Sequence, residues 1–185
     1  MCSRDKNDQK SSATAVGRTH GWSTKRITYT GMFVAIARVF SYLESMIPVN
    51  IAIPGIKLGL ANMVTIVVMY RLRIADAWIV SLVRVVLSSL LFGNMAIMIY
   101  SMAGAVLSLL VMSLCRKKDL FGLLGTSILG GVSHNAGQIV MAAFLMKSGN
   151  IMLYIPVLCI SGTIAGVCIG LAGAVLVRKL PAIDY

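Results

Sequence analysis

The sequence predicts an all-α, polytopic membrane protein with six transmembrane helices and both termini in the cytoplasm. Three observations support that prediction. Of the 185 residues, 58% are hydrophobic and only 12% are charged, and the mean hydropathy is +0.86. The apolar residues form six continuous segments, unlike the short alternating strands of a transmembrane barrel. The formal net charge of +11 sits mainly in the tails and in loops on one side of these segments.

This composition excludes several classes of protein. A soluble domain needs roughly a quarter of its residues charged, so a soluble enzyme and an ordinary nucleic-acid-binding domain are ruled out. A disulfide-stapled secreted module is excluded on the same ground. The four cysteines show no CxxC or histidine-paired metal spacing, and we interpret them as small packing residues.

Three regions are predicted along the chain. Residues 1–26 are polar and basic and lack the apolar core of a cleavable signal peptide. We predict a disordered cytoplasmic tail there, which orients the first helix or touches anionic lipid headgroups. A six-helix transmembrane domain is predicted over residues 27–178, followed by a short cytoplasmic C-terminus over 179–185.

Each apolar segment is a candidate helix, because about 20 apolar residues span the hydrocarbon core of a bilayer. The approximate bounds are Ile27–Ile47, Leu58–Tyr70, Ile74–Phe92, Met95–Cys115, Leu120–Met146 and Ile151–Val177. The second segment is too short to cross unless it borrows residues from the loop before it. The fifth and sixth are long and should tilt or break. Pro156 should kink the sixth helix or mark its beginning.

The positive charges predict the orientation. With the N-terminus inside, the outer loops hold only Lys57 and Lys147, while Arg38 and Arg84 lie within segments. The other lysines and arginines all fall on the inner side. This asymmetry predicts an even number of crossings.

Arg84 lies near the middle of the third segment, where a charge is expensive and needs a partner. It either anchors an anionic group of a ligand or forms an internal salt bridge or hydrogen-bonded strut. Apart from Asp76 at the cytoplasmic end of the third segment, Glu44 is the only acidic residue inside an apolar segment. Arg38 and Glu44 are six residues apart and do not share one helical face. For these two we favour a structural or partner-binding role over ligand contact.

The densest polar cluster inside an apolar segment is the stretch SHNAGQ over residues 133–138. His134 and Gln138 share a helical face, and Asn135 is turned away by about 100°. Neighbouring glycines permit close approach of another backbone. The cluster either binds a ligand or hydrogen-bonds helices together. No second histidine or carboxylate lies at ligand spacing, so we predict no metal site.

Further candidates lie elsewhere in the segments. Three polar residues near outer helix ends join the predicted binding site: Lys57, Asn62 and Asn94. Lys57 is placed to catch a phosphate or carboxylate, or else it snorkels to the interface. Small residues also recur at helical spacing, as Gly31 and Ala35 in the first segment and as Gly162, Gly166, Gly170 and Ala174 in the sixth. Such rows let helices pack closely, within the chain or against another subunit.

The chain lacks the motifs of several enzymes. It has no GxxxxGK[ST] phosphate loop and no evident Ser-His-Asp set. Its six acidic residues form no cluster that would hold a diphosphate through magnesium. We therefore assign no catalytic residue and no cofactor, and any part in polyprenyl diphosphate synthesis would be that of an accessory subunit.

Five stretches carry a family resemblance: IPGIKLGLANMVTIVVMYRL, VRVVLSSLLFG, SMAGAVLSLLVM, GGVSHNAGQIVMAA and LYIPVLCISGTIAGVCIG. Over residues 27–177 the chain resembles the Gx transporter family, whose members are also labelled heptaprenyl diphosphate synthase component I. That family is in turn similar to the substrate-binding S components of energy-coupling factor (ECF) transporters, which are six-helix membrane proteins.

The resemblance implies a location in the plasma or inner membrane. It implies a pocket near the outer side for a vitamin-like, flavin-related or isoprenoid-related small molecule. It also implies a small-residue patch on the first helix, at Gly31 and Ala35, that docks a coupling subunit driven by two separate ATPases. The second family label implies an alternative, a non-catalytic membrane subunit in heptaprenyl diphosphate or menaquinone synthesis. A third interpretation is a structural anchor for a membrane redox complex.

Overall fold

The computed structural model describes residues 24–46, 59–92, 95–147 and 149–180. The predicted tail before Thr24 lies outside the described residues, as do Lys57 and Asn94. Within these ranges the chain forms six α-helices and one 3₁₀ helix, and it contains no strand. The predicted all-α fold is therefore confirmed.

The helices follow the apolar segments closely. They are α1 (Thr24–Met46), α2 (Leu60–Arg71), α3 (Ile74–Phe92), α4 (Met95–Lys117), α5 (Leu123–Met146) and α6 (Ile155–Lys179), with a 3₁₀ helix over Gly149–Tyr154 before α6. Helix α1 begins three residues inside the stretch predicted as tail. Pro156 is the second residue of α6, where its missing N–H leaves no helical bond unmade, so it marks the beginning of that helix.

Among the described residues, four segments are long and apolar enough to cross a membrane, namely Ile74–Leu91, Met95–Lys117, Leu123–Met146 and Ile151–Lys179. Helix α2 has only 12 residues and is about 18 Å long. Helix α1 has 23 residues, but the charges of Lys25, Arg26, Arg38 and Glu44 lower its hydropathy. The chain is thus a helical membrane protein, while the count of six crossings and the side of the termini stay predictions.

The short helix α2 is the most buried element. It packs against α1, α3 and α6, and its residues from Met63 to Met69 are all buried. Around it, consecutive contacts join α3 to α4, α4 to α5 and α5 to α6. Large side chains from three of these helices fill the centre, including Ile66, Met69, Val80, Leu109 and Met112. The short second segment is therefore an inner helix of the bundle.

Helices α1 and α3 run parallel and in register. Arg26 contacts Asp76 near the start of both helices, and Arg38 contacts Ser88 twelve residues farther along each. Equal advances on both helices are possible only when they point the same way. Two short polar contacts therefore set the depth at which every side chain of α1 meets α3.

The outer surface of the bundle carries many exposed large apolar side chains. They occur on α1 and on all four candidate spans, and include Val39, Leu90, Leu114, Phe144 and Ile164, each more than half exposed. A surface of this kind is typical of a protein whose solvent is lipid.

Candidate functional site

Helix α5 packs closely against both α4 and α6, because glycines lie at both interfaces. A Cβ atom added at Gly131 would lie 2.5 Å from the carbonyl oxygen of Gly162, and one at Gly166 would lie 2.6 Å from the Cα of Ile128. On the other side, Gly137 lies against the backbone of Gly104. The small-residue row of the sixth segment therefore packs inside the chain, against α5. Only glycine allows backbones to approach so closely.

His134 and Gln138 meet helix α4 at Gly104. A Cβ atom at Gly104 would lie 2.6 Å from the Cγ of Gln138 and 3.3 Å from the Cε1 of His134. Both side chains are half-buried. The absence of a side chain at Gly104 thus makes room for the two residues that the helical spacing places on one face.

Asn135 points the other way, toward α6. Its Nδ2 donates to the carbonyl oxygen of Leu158 over 2.9 Å and to the Oγ of Ser161 over 3.4 Å. Ser133 donates to the carbonyl oxygen of Leu129 in its own helix over 2.5 Å. The polar stretch of α5 is thereby divided, with His134 and Gln138 on the α4 side and Asn135 linking α5 to α6.

Arg84 faces α1. Its side chain is half-buried, and its Nε is buried with no hydrogen-bond partner among the described residues. Glu44 lies close enough for the two charges to attract. This position fits both roles that the sequence allows for Arg84. The nearby carboxylate of Glu44 fits an internal electrostatic contact, and the unused Nε donor fits an anchor for a ligand.

Glu44 also closes the beginning of α2. Its Oε1 accepts the N–H of Gly59 over 2.6 Å. Gly59 precedes α2 with φ 73°, in the left-handed region that favours glycine, and it offers no side chain to cap the helix. The carboxylate of another helix thus accepts the N–H of the N-cap residue, as the third residue of a helix does in a capping box. Asn62 lies half-buried in the first turn that follows.

Arg38 completes this region, since its Nη1 donates to the Oγ of Ser88 over 2.8 Å. Ser88 lies one helical turn beyond Arg84 on α3, so the two guanidinium groups approach the same stretch of that helix. We call Arg38, Glu44, Gly59, Arg84 and Ser88 the arginine cluster. The sequence pointed to its charged members, whereas Gly59 and Ser88 became visible only through their contacts.

The arginine cluster and the His134–Gln138 pair lie at similar depth in the bundle. Trp78 donates from its Nε1 to the Oγ of Ser113 over 3.2 Å, which aligns α3 with the antiparallel α4. Arg84 lies six residues after Trp78 on α3. Because α4 runs antiparallel, Arg84 is level with the position six residues before Ser113, about residue 107. Gly104, where the pair packs, is three residues beyond that level, or about 4.5 Å along the helix axis.

A family model for heptaprenyl diphosphate synthase component I matches residues 33–176, more than three quarters of the chain. The chain belongs to that family. No curated protein and no solved structure matches it. The family region contains the whole arginine cluster and the His134–Gln138 pair, as well as the glycines that press α5 between its neighbours.

Gly31 lies just before the region matched by the family model, and Ala35 lies just inside it. Both are exposed on α1, and a Cβ atom at Gly31 would meet nothing within 4 Å. Exposed apolar side chains flank them at Met32, Ile36 and Val39. This face of α1 thus lies away from the bundle.

Sequence reasoning missed a group of contacts at the end of the bundle that carries most arginines. Arg26 and Asp76 form an ion pair of 2.7 Å, and the Asp76 side chain is 0% exposed. Arg71 donates to the carbonyl oxygen of Val177, near the C-terminus of α6. Arg26 had been predicted to lie in the disordered tail. The sequence did contain a signal for this contact, namely Asp76 in the first turn of α3. The partial positive charge at a helix N-terminus stabilises a carboxylate there.

A second set of contacts at that end joins α2 to α4 and α5. The guanidinium of Arg116 stacks 5.2 Å from the ring centre of Tyr70, and the Tyr70 hydroxyl hydrogen-bonds the Oγ1 of Thr126 over 3.1 Å. Charges that the sequence used only to orient the chain therefore also hold helices together.

The site offers no obvious place for a metal. No group of three or more His, Cys, Asp or Glu side chains that could hold an ion occurs in the part of the chain that the structure describes. A groove along α4 is lined almost wholly by apolar atoms, among them Met98, Met102 and Met141. What the interior offers chemically is cationic and hydrogen-bonding recognition.

Proposed function

We propose that this chain is the substrate-binding subunit of a membrane uptake system, similar to an ECF S component. It crosses the membrane six times with both termini in the cytoplasm and captures a small molecule from outside. Coupling and ATPase subunits on separate chains drive transport. The observation that carries the proposal is the half-buried residue Arg84, whose Nε is buried with no hydrogen-bond partner among the described residues.

A guanidinium at this depth favours a ligand with an anionic group. Charged side chains in a membrane interior are rare, face the protein or a water-filled cavity, and often mark substrate or ion pathways. Glu44 balances part of the charge but is already bonded to Gly59. In the proposal, an anionic group of the ligand takes the free donor of Arg84. His134 and Gln138, at similar depth, orient a polar ring or headgroup.

The remaining predicted residues take supporting roles in this proposal. Asn62, in the first turn of α2, contacts the ligand beside the arginine cluster, and Lys57 and Asn94 guide it at the entrance. Asn135 holds α5 against α6 and so keeps His134 in place. The exposed Gly31 and Ala35 receive a helix of the coupling subunit, because small residues permit close helix contact within lipid.

The proposal is tested on the full chain purified from its own host. Native mass spectrometry should detect a retained small molecule with the wild-type chain and lose it with Arg84→Ala or His134→Ala. Arg73→Ala is the matched control, because Arg73 is exposed beyond the end of α2. The coupling and ATPase subunits should co-purify. Equal retention by Arg84→Ala, His134→Ala and Arg73→Ala would contradict the assigned site.

The family description favours a second candidate, a non-catalytic membrane subunit of heptaprenyl diphosphate synthase. Here the arginine cluster holds a prenyl diphosphate, and another chain supplies the catalytic carboxylates. The full chain in nanodiscs should then accelerate prenyl-chain elongation by a soluble partner enzyme. Elongation at the same rate with and without the chain would eliminate this candidate.

A further inference from the structure

We propose that Glu44 determines the charge of the ligand, so that the site selects a polar end with a single negative charge. This inference rests on the proposed function, because it needs Arg84 to be the anchor of an anionic group. It goes further by assigning the substrate to the monoanions, such as carboxylates, and by excluding phosphate monoesters and diphosphates.

The first step is a count of charges. Apart from Asp76, which pairs with Arg26 at the other end of α1 and α3, the apolar segments hold only Arg38, Arg84 and Glu44 as charged side chains. The structure brings all three to the region where α1, α2 and α3 meet. Among the described residues, two guanidinium groups and one carboxylate give this region a net charge of +1. A monoanion neutralises that charge, whereas a dianion replaces it with a net negative charge in a medium that screens poorly.

The second step is that Glu44 is held in place. Its Oε1 accepts the N–H of Gly59 over 2.6 Å. Gly59 has no side chain of its own with which to cap α2. If a ligand displaced Glu44, the N–H of Gly59 at the beginning of α2 would lose this acceptor. The carboxylate therefore stays when the ligand arrives, and its charge continues to count.

The third step is that the two arginines have different attachments. Arg38 is directed to Ser88 by a 2.8 Å hydrogen bond, whereas the Nε of Arg84 has no such partner among the described residues. The ligand's anionic group thus binds Arg84, while Arg38 and Glu44 act through their charges. Glu44 is a specificity-determining residue that need not touch the ligand.

The test uses Glu44→Gln, which keeps an Oε1 acceptor for Gly59 and removes only the charge. The probes are benzoate, a monoanion, and phenyl phosphate, a dianion at pH 8, titrated against the full chain in nanodiscs of neutral lipid. Wild type should bind benzoate about tenfold more tightly than phenyl phosphate. In Glu44→Gln that ratio should fall by about tenfold or more, because one charge several Å away has an effect of this size.

The variant Arg84→Ala separates the possible failures. Arg84→Ala should weaken benzoate binding at least about tenfold. If it does not, or if wild type binds neither probe at millimolar concentration, the proposed anion anchor is wrong and this inference falls with it. If Arg84→Ala weakens binding but Glu44→Gln leaves the ratio unchanged, only the role of Glu44 is refuted. A wild-type preference for phenyl phosphate would also refute it.

Arg38→Gln gives an independent reading should Glu44→Gln fail to fold. It lowers the net charge of the cluster from +1 to zero, so the preference for benzoate over neutral benzamide should fall about tenfold. An unchanged preference would overturn the charge count. The melting temperature of each variant in the same nanodiscs identifies those whose fold is intact.

Discussion

The two halves of the bundle are held together by opposite means. In the charged half, α1 to α3, helices are joined by ionic and charge-assisted contacts: Arg26 with Asp76, Arg38 with Ser88, and Glu44 with Gly59. In the glycine half, α4 to α6, backbones approach each other at Gly104, Gly131 and Gly166. Charged side chains join the helices in one half, and the absence of side chains lets the helices pack closely in the other.

This difference has a physical reason and a functional meaning. In lipid there is no hydrophobic driving force between helices, so helices associate through close packing or polar contacts. The glycine half uses close packing, which leaves a well-defined wall that carries His134 and Gln138. The charged half uses polar contacts, which keep ionic groups inside the membrane region. In the proposed function, recognition of an anion therefore falls to the charged half.

The largest effect should come from breaking the ion pair of the charged half. Arg26→Met leaves the buried carboxylate of Asp76 without its guanidinium, and it should lower the free energy of unfolding by about 3 kcal/mol. Thermal unfolding in detergent, followed by circular dichroism, measures the change. Lys25→Met is the matched control, because Lys25 is exposed. Similar losses for both variants would show that the pair does not hold α1.

The next effect should come from breaking the glycine half. In Gly131→Ala the new methyl group meets the carbonyl oxygen of Gly162, a backbone atom that cannot rotate away. We expect a loss of about 2 kcal/mol in the same unfolding assay, as for other overpacked sites. A variant as stable as wild type would mean that α5 and α6 are farther apart than described.

Removing one serine hydroxyl in each half compares the two kinds of contact through smaller losses of stability. Ser88→Ala removes the acceptor of a charged donor, Arg38, and should lower the free energy of unfolding by about 2 kcal/mol. Ser127→Ala removes a neutral hydrogen bond of 2.7 Å to the carbonyl oxygen of Gly166 and should lower it by about 1 kcal/mol. The reverse order in parallel unfolding measurements would contradict the division into a charged half and a glycine half.

The smallest effect, and of opposite sign, is expected at Gly31. Gly31→Ala adds a methyl group that meets nothing within 4 Å. Because alanine favours the helix more than glycine does, the isolated chain should gain up to about 1 kcal/mol in stability. Co-purification of the coupling subunit should fall if this face docks it. Loss of stability in the isolated chain would mean that the face is already covered.

Much of the fold was predictable because its signals are local. The third segment was predicted over Ile74–Phe92, and α3 has those bounds. The short second segment was recognised from its length, and His134 and Gln138 were placed on one face from their spacing. The largest disagreement at a helix end is in the sixth segment, where Ile151–Tyr154 belongs to a 3₁₀ helix. Hydrophobic length alone does not separate that helix from an α-helix.

The candidate site was predictable only in its charged and most polar members. Arg84 and His134 stand out because polar groups are conspicuous in an apolar segment. Ser88 and Gly59 do not, since a serine or a glycine is ordinary in any membrane helix. Their importance comes from Arg38 and Glu44 on another helix, and no periodicity within α2 or α3 contains that information.

By itself, the sequence determined that this chain folds as helices in lipid, where each helix runs, and which few charges lie inside. These properties depend on residues near one another in the chain, through hydrophobicity and helical period. The tertiary structure decided which neighbour each face meets. It turned Asn135 to α6, packed the glycine row inward and set Glu44 at the start of α2, because such pairings join residues distant in sequence.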